Sequence, residues 1–145
     1  MEIIKGNFFD YVTDDKNFIV PHVCNNVKKF GAGFAKSLAL KWPKTKVDFL
    51  QFEPTLGEVQ FVKINQLMIA NMIAQDGIKS KTEQKPLKYA HLINCMNRVR
   101  TMAKALNLEI HTIKFGSNLA GGNWDFIEEL ISELWDNLPV FIYEE

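Results

Sequence analysis

Cysteine is scarce in this sequence: Cys24 and Cys95 are the only two. Two thiols in a chain of this size make no disulfide framework, so a reducing cytoplasm is the expected compartment. Long apolar runs are missing as well. Phe18–Val20 and Leu67–Ala70 fall far short of the roughly 18 residues of a membrane span. The opening Met1-Glu2-Ile3-Ile4-Lys5-Gly6 lacks the basic start and apolar core of a signal peptide, which agrees with a cytoplasmic protein away from membranes. There is no excess of either charge, with 17 Lys+Arg against 17 Asp+Glu. A domain built for bulk attraction to nucleic acid is clearly basic, so that partner is disfavoured. No Gly-Lys-Ser/Thr closes a Walker A loop, and no Gly-x-Gly-x-x-Gly marks a dinucleotide site. No His, Cys or Asp grouping has metal-ligand spacing, so no metal and no cofactor is expected.

What remains is a chain of 145 residues, 47% hydrophobic and 23% charged, the composition of one globular domain spanning 1–145. Its balanced charge is unevenly spread. Lys28, Lys29, Lys36, Lys41, Lys44 and Lys46 follow one another with no acid between them, while everything charged from Asp125 onward is acidic. Two solvated helix faces of opposite sign explain this, and so does a basic rim around an anionic ligand.

Residues 2–5 read as a short strand, and 17–24 as a buried strand rich in β-branched and aromatic residues, with Pro21 as its one weak point. A helix is predicted over 34–42 and another from Pro43 to about Phe52. Residues 58–64 alternate polar and apolar, as a half-buried strand does, and Asn65-Gln66 turns into a second, more buried strand over 67–74. Residues 76–85 are polar and read as a mobile loop. Pro86 suits the first position of a helix running to about Leu106, with Leu92, Met96, Val99, Met102, Ala103 and Leu106 on its inner stripe. A strand over 108–114, a Gly-rich loop over 115–123, a helix over 124–135 and a last strand over 140–143 complete the chain. Strands alternating with helices, with one hairpin in the middle, imply an α/β fold. The expected architecture is a three-layer α/β/α sandwich around a mixed, mostly parallel sheet of about six strands.

Ligands of such sheets sit beyond the C-terminal strand ends, in loops leading into helices. Two loops have suitable chemistry. In the first, from His22 to Gly33, Gly31-Ala32-Gly33 lets backbone amides approach a phosphate at a helix start. In the second, Gly116-Ser117-Asn118-Leu119-Ala120-Gly121-Gly122-Asn123-Trp124, three glycines are entropically costly beyond what a helix start needs. Two such loops in one small sheet suggest a diphosphate between them.

In order and content these pieces resemble the macrodomain family, which binds ADP-ribose. The resemblance runs from Lys5-Gly6-Asn7-Phe8-Phe9 through the His22–Ala35 loop and the Ala70–Gln75 strand to the Gly116–Trp124 loop. His-x-Cys-Asn, Gly-x-Gly-x-Ala, Trp42-Pro43-Lys44 and Leu119-Ala120-Gly121-Gly122-Asn123-Trp124 look most like the small branch of yeast-type ADP-ribose-1''-phosphate phosphatases and their phage-encoded relatives. The resemblance implies that Asn7 stands where many members have an Asp accepting from the adenine amino group, with Phe8 beside the base. It implies that Asn25 contacts the distal ribose. It makes Gly31, Ala32 and Gly33 the first phosphate loop, and Ser117, Asn118, Leu119, Ala120, Gly121 and Gly122 the second. A carboxylate placed at Gly121 is then expected to block the phosphate path without unfolding the chain.

The glycohydrolase members of the same branch use a Lys and an Asp where this sequence has Gln75 and Ala120, so removal of ADP-ribose from protein carboxylates is disfavoured. His22 is the candidate acid or base for hydrolysis of the 1''-phosphate, with Asn25 beside it; a buried strand histidine is the alternative. Cys24 reads as core rather than nucleophile, and His91 and His111 as structural. Trp124 is expected to pack under the second loop, and Phe30 and Phe115 to wall the cleft. Three functions are thereby in play: phosphatase, a reader of free or protein-linked ADP-ribose, and a nucleic-acid binder using the lysine rim.

Overall fold

A computed structural model describes residues 1–145. The elements run β1 (Glu2–Lys5), α1 (Phe8–Tyr11), β2 (Phe18–Asn25), α2 (Gly33–Lys41), α3 (Lys44–Leu50), β3 (Val59–Ile64), β4 (Leu67–Gln75), α4 (Tyr89–Leu106), β5 (Glu109–Ile113), α5 (Trp124–Leu134) and β6 (Val140–Glu144). The strands form one six-stranded sheet in the order β1-β6-β5-β2-β4-β3. All neighbours are parallel except the β3–β4 hairpin, whose turn places Asn65 at φ 56°.

Alternation along β2 and β4 sends side chains into two separate cores. Ile19, Met68, Ala70, Met72 and Ala74 pack under α4 and α5 with Leu92, Met96, Val99, Ile127 and Ile131. Val20, Leu67 and Ile69 face the other way, towards Phe8, Leu38 and Trp42 of the α1–α2 side. Cys24, Phe30, Phe49 and Ile73 form a third, smaller cluster. Every residue of β4 is buried, as a strand covered on both faces must be. The structure is thus the three-layer sandwich that the alternation of elements implied.

Two local expectations change. Pro86 does not start α4, which begins at Tyr89. Instead Leu87 bridges antiparallel to Gln75, Pro86 O accepts from Asp76 N (3.0 Å) and Lys88 N donates to Ala74 O (2.9 Å), so 86–88 is an extended strap on the end of β4. The Pro ring suits either state, and tertiary hydrogen bonds decide it. Leu106 is 50% exposed, because it lies in the last turn before the left-handed C-cap at Asn107. The one-turn α1 was not legible as periodicity; Asn7 caps it by accepting from Phe9 N. Residues 76–85 hold no helix or strand; at their start Asn26 donates to Asp76 Oδ1 (3.1 Å) and accepts from Gly77 N (2.9 Å). No helix is long and apolar enough to cross a membrane.

Candidate ligand-binding cleft

A proline in the middle of the sheet opens the site. β2 pairs with β4 from Ile19 to Asn25, but with β5 only at Phe18 and Ile19. The N and C=O of a strand residue point to the same side, and Pro21 turns that side to β5 without an N–H to offer. Its carbonyl accepts a hydrogen bond from the Thr112 hydroxyl (2.6 Å). Beyond Ile19 no β2–β5 pairing continues, and a cleft of about 380 Å³ lies between the loops that follow the two strands.

The first loop forms one wall. Asn25 shapes it from within: Oδ1 accepts from Val27 N (3.0 Å) and Lys29 N (3.1 Å), and Nδ2 donates to Lys29 O (2.8 Å). One Nδ2 hydrogen is left over for a ligand. Gly31, Ala32 and Gly33 line the cleft, as does Phe30. A side chain at Gly31 would meet nothing within 4 Å, so this glycine borders open space. The N-cap of α2, Ala32, gives no side-chain hydrogen bond, so the first amides of the helix are left for a ligand.

The second loop divides in two. Asn118, Leu119 and Ala120 line the cleft, together with Phe115 and Gly116. Ser117, Gly121 and Gly122 do not. Gly121 has φ +75°, and a Cβ there would stand 2.1 Å from Gln84 O; a Cβ on Gly122 would stand 2.5 Å from Gly116 O. These two glycines admit the 84–88 strap, which Leu87 N fastens to Ala120 O (3.1 Å). Gly121 therefore faces the strap rather than a phosphate path, and a carboxylate there would disrupt packing. Asn123 caps α5 by accepting from Phe126 N (3.1 Å), and Trp124 packs edge-on against Phe115 beneath the loop.

His22 lines the cleft floor but is only 2% exposed. Its Nε2 lies 2.5 Å from Asn71 Oδ1. Asn71 Nδ2 in turn donates to Gln60 Oε1 (3.1 Å), and Gln60 Nε2 to Asp48 O (3.0 Å). That chain of donors leaves Asn71 Oδ1 for the ring, so Nε2 carries the imidazole proton. Burial pushes His22 down to about 4, against a smaller upward pull from Asn71, and the ring is neutral at pH 7. Cys24 Sγ sits 3.6 Å from His22 Nε2, but burial raises its thiol well above the ordinary range, so it is no thiolate nucleophile. His111 stacks between Phe18 and Phe141 and bonds Tyr143 and Glu109, a structural role.

Loop 76–85 adds Ile78 and Lys79 to the cleft, which periodicity does not reveal because the loop reaches the site only through the fold. Lys29 and Lys114 complete a lining of three lysines, and no carboxylate lines this chamber. Phe34, Ile113 and Lys114 are shared with a second chamber of about 510 Å³, bounded by Asn7, Phe8, Phe9, Tyr143, Glu144 and Glu145. The two together make an elongated site, cationic and rich in free amides at one end and aromatic at the other.

No family model matches the chain. A Bacteroides thetaiotaomicron protein of unknown function is 31% identical with a TM-score of 0.89, and the match covers 99% of this chain and 97% of that one. A macrodomain protein from Streptomyces coelicolor is 28% identical with a TM-score of 0.82, covering 99% of both chains. Thermosipho africanus DarTG, solved in complex with ADP-ribose, shares the fold at a TM-score of 0.75 and 14% identity, covering 98% of this chain and 41% of that one. An uncharacterized 17.5 kDa protein of Enterobacteria phage T4, from the tk-vs intergenic region, is 25% identical over 155 residues, covering 99% of this chain and 96% of that protein.

Proposed function

This chain belongs to the macrodomain family, and from that premise we propose that residues 1–145 act as one domain that binds ADP-ribose and hydrolyses ADP-ribose 1''-phosphate to ADP-ribose and phosphate. The observation that carries the reading is the two-chamber cleft. Its first chamber offers lysines and unpaired amides to a diphosphate and a further phosphate, and its second offers aromatic walls to a base. The neighbour solved with ADP-ribose supports the choice of ligand.

In hydrolysis, water attacks phosphorus, the bond from phosphorus to the 1''-oxygen breaks, and a water proton ends on the sugar hydroxyl. The amides at the start of α2 and Lys29 and Lys79 counter the phosphoryl charge. The free Nδ2 hydrogen of Asn25 orients the distal ribose. His22 enters as a neutral imidazole. With Nε2–H held by Asn71, Nδ1 is left as the basic nitrogen of the ring.

A second reading, binding of free or protein-linked ADP-ribose without turnover, is favoured by the same histidine. A group held near 4 is a weak base and no acid near neutrality. Calorimetry with ADP-ribose and AMP, followed by phosphate release from the 1''-phosphate, tests both. ADP-ribose is expected to bind at micromolar or better and AMP far more weakly; equal affinities would overturn the binding reading. Tight binding with no phosphate release transfers the assignment to the reader.

A further inference from the structure

The acceptor expected at Asn7 is already engaged. Asn7 Oδ1 accepts from Phe9 N (2.8 Å) as the cap of α1, and Asn7 Nδ2 donates to Glu145 Oε1 (2.9 Å). Both residues line the second chamber, whose walls are Phe8, Phe9, Phe34 and Tyr143. The other acid there, Glu144, is matched by Lys5 (2.8 Å) and Lys114 (3.6 Å). Glu145 has no cation within salt-bridge distance, and its second oxygen makes no hydrogen bond within the chain. The chamber thus combines flat apolar walls with one unneutralised carboxylate, oriented by an amide. It continues into the cationic chamber through Phe34, Ile113 and Lys114.

Resting on the reading that this cleft holds ADP-ribose, we propose that Glu145 determines base specificity by accepting a hydrogen bond from the exocyclic amine of the base. Aromatic walls take any planar base, so they supply affinity with little choice. A carboxylate supplies choice by both signs. It accepts a charge-assisted bond from an amine, and it repels a carbonyl oxygen in the same place. Asn7 is the positioning residue that holds the carboxylate towards the chamber.

The experiment is calorimetry on the full chain with ADP-ribose and with the hypoxanthine counterpart, inosine diphosphate ribose, which carries a carbonyl where adenine has its amine. The unmodified protein is expected to prefer ADP-ribose by roughly tenfold, one charge-assisted hydrogen bond. Glu145→Ala, at an exposed position with no part in either core, is expected to bring the two ligands within about twofold by weakening ADP-ribose. If ADP-ribose binds and its preference survives Glu145→Ala, the assignment of Glu145 is overturned while the binding site stands. If neither ligand binds the unmodified protein, the functional reading falls and this inference with it.

Discussion

His22 couples the site to the stability of the chain. Its folded value of about 4 lies below the ordinary 6.5, so the unfolded state takes up the proton more readily. Stability is therefore complete above about pH 6.5 and is lost as pH falls towards 4, by about 3 kcal/mol from this group. His22→Gln is expected to flatten that slope, read as a smaller fall in urea midpoint between pH 7 and 4.5; an unchanged slope would show that other groups carry it. The glycines divide by what surrounds them. Gly31 faces open space, so Gly31→Glu should leave stability within about 0.5 kcal/mol while its charge weakens ADP-ribose binding. Gly121→Ala should instead cost about 1–3 kcal/mol in overpacking, with further strain from its positive φ, because Gln84 and Lys85 backbone fills the space a Cβ needs. Thermal unfolding of both variants separates the two behaviours.

Between elements, a few side chains complete what the ladders leave open. Thr112 on β5 donates a hydrogen bond to the Pro21 carbonyl, next to where the β2–β5 pairing stops. Thr112→Val keeps the shape and removes that hydrogen bond, an expected loss of about 1 kcal/mol by denaturant titration. Helix α5 has no basic residue in its own last turn. Arg100 of α4 does that work, its Nη1 donating to Leu134 O at 2.7 Å. Arg100→Met retains the stem packing and should lose about 1–2 kcal/mol, with Arg100→Lys recovering part of it. The strap at 86–88 belongs to this scale too. It fastens the end of β4 to the second Gly loop, so the cleft wall is anchored through Ala74, Gln75 and Ala120 at once.

Across the whole molecule, both cysteines are buried on the two opposite faces of the sheet. Burial pushes Cys95 up to about 12 and Cys24 well above its ordinary value, so neither is a thiolate at pH 8. A thiol reagent is expected to label neither in the native state and both after unfolding, at a rate that reports opening of the core. Rapid labelling of Cys24 alone would reveal local opening on the cleft side, where the first loop and loop 76–85 meet through Asn26.

The order of strands and helices, the two Gly-rich loops and the Asn123 cap were readable from residue types, because periodicity, turn chemistry and capping act over a few neighbouring positions. So was the packing of Trp124 under its loop. Which glycines line the cleft was not readable: Gly31 and Gly121 look alike in sequence, and only the arrival of the strap at Gly121 tells them apart. The charge state of His22 needed β4 and β3 alongside it, since Asn71 and Gln60 reach it only through strand pairing. Lys79 reaches the cleft, and Glu145 meets Asn7 across 138 positions, because the sheet sets β1 beside β6 and carries the loop after β4 over the end of β2. Local preference specifies each element, and long-range hydrogen bonding and burial specify which of their ends converge on one site.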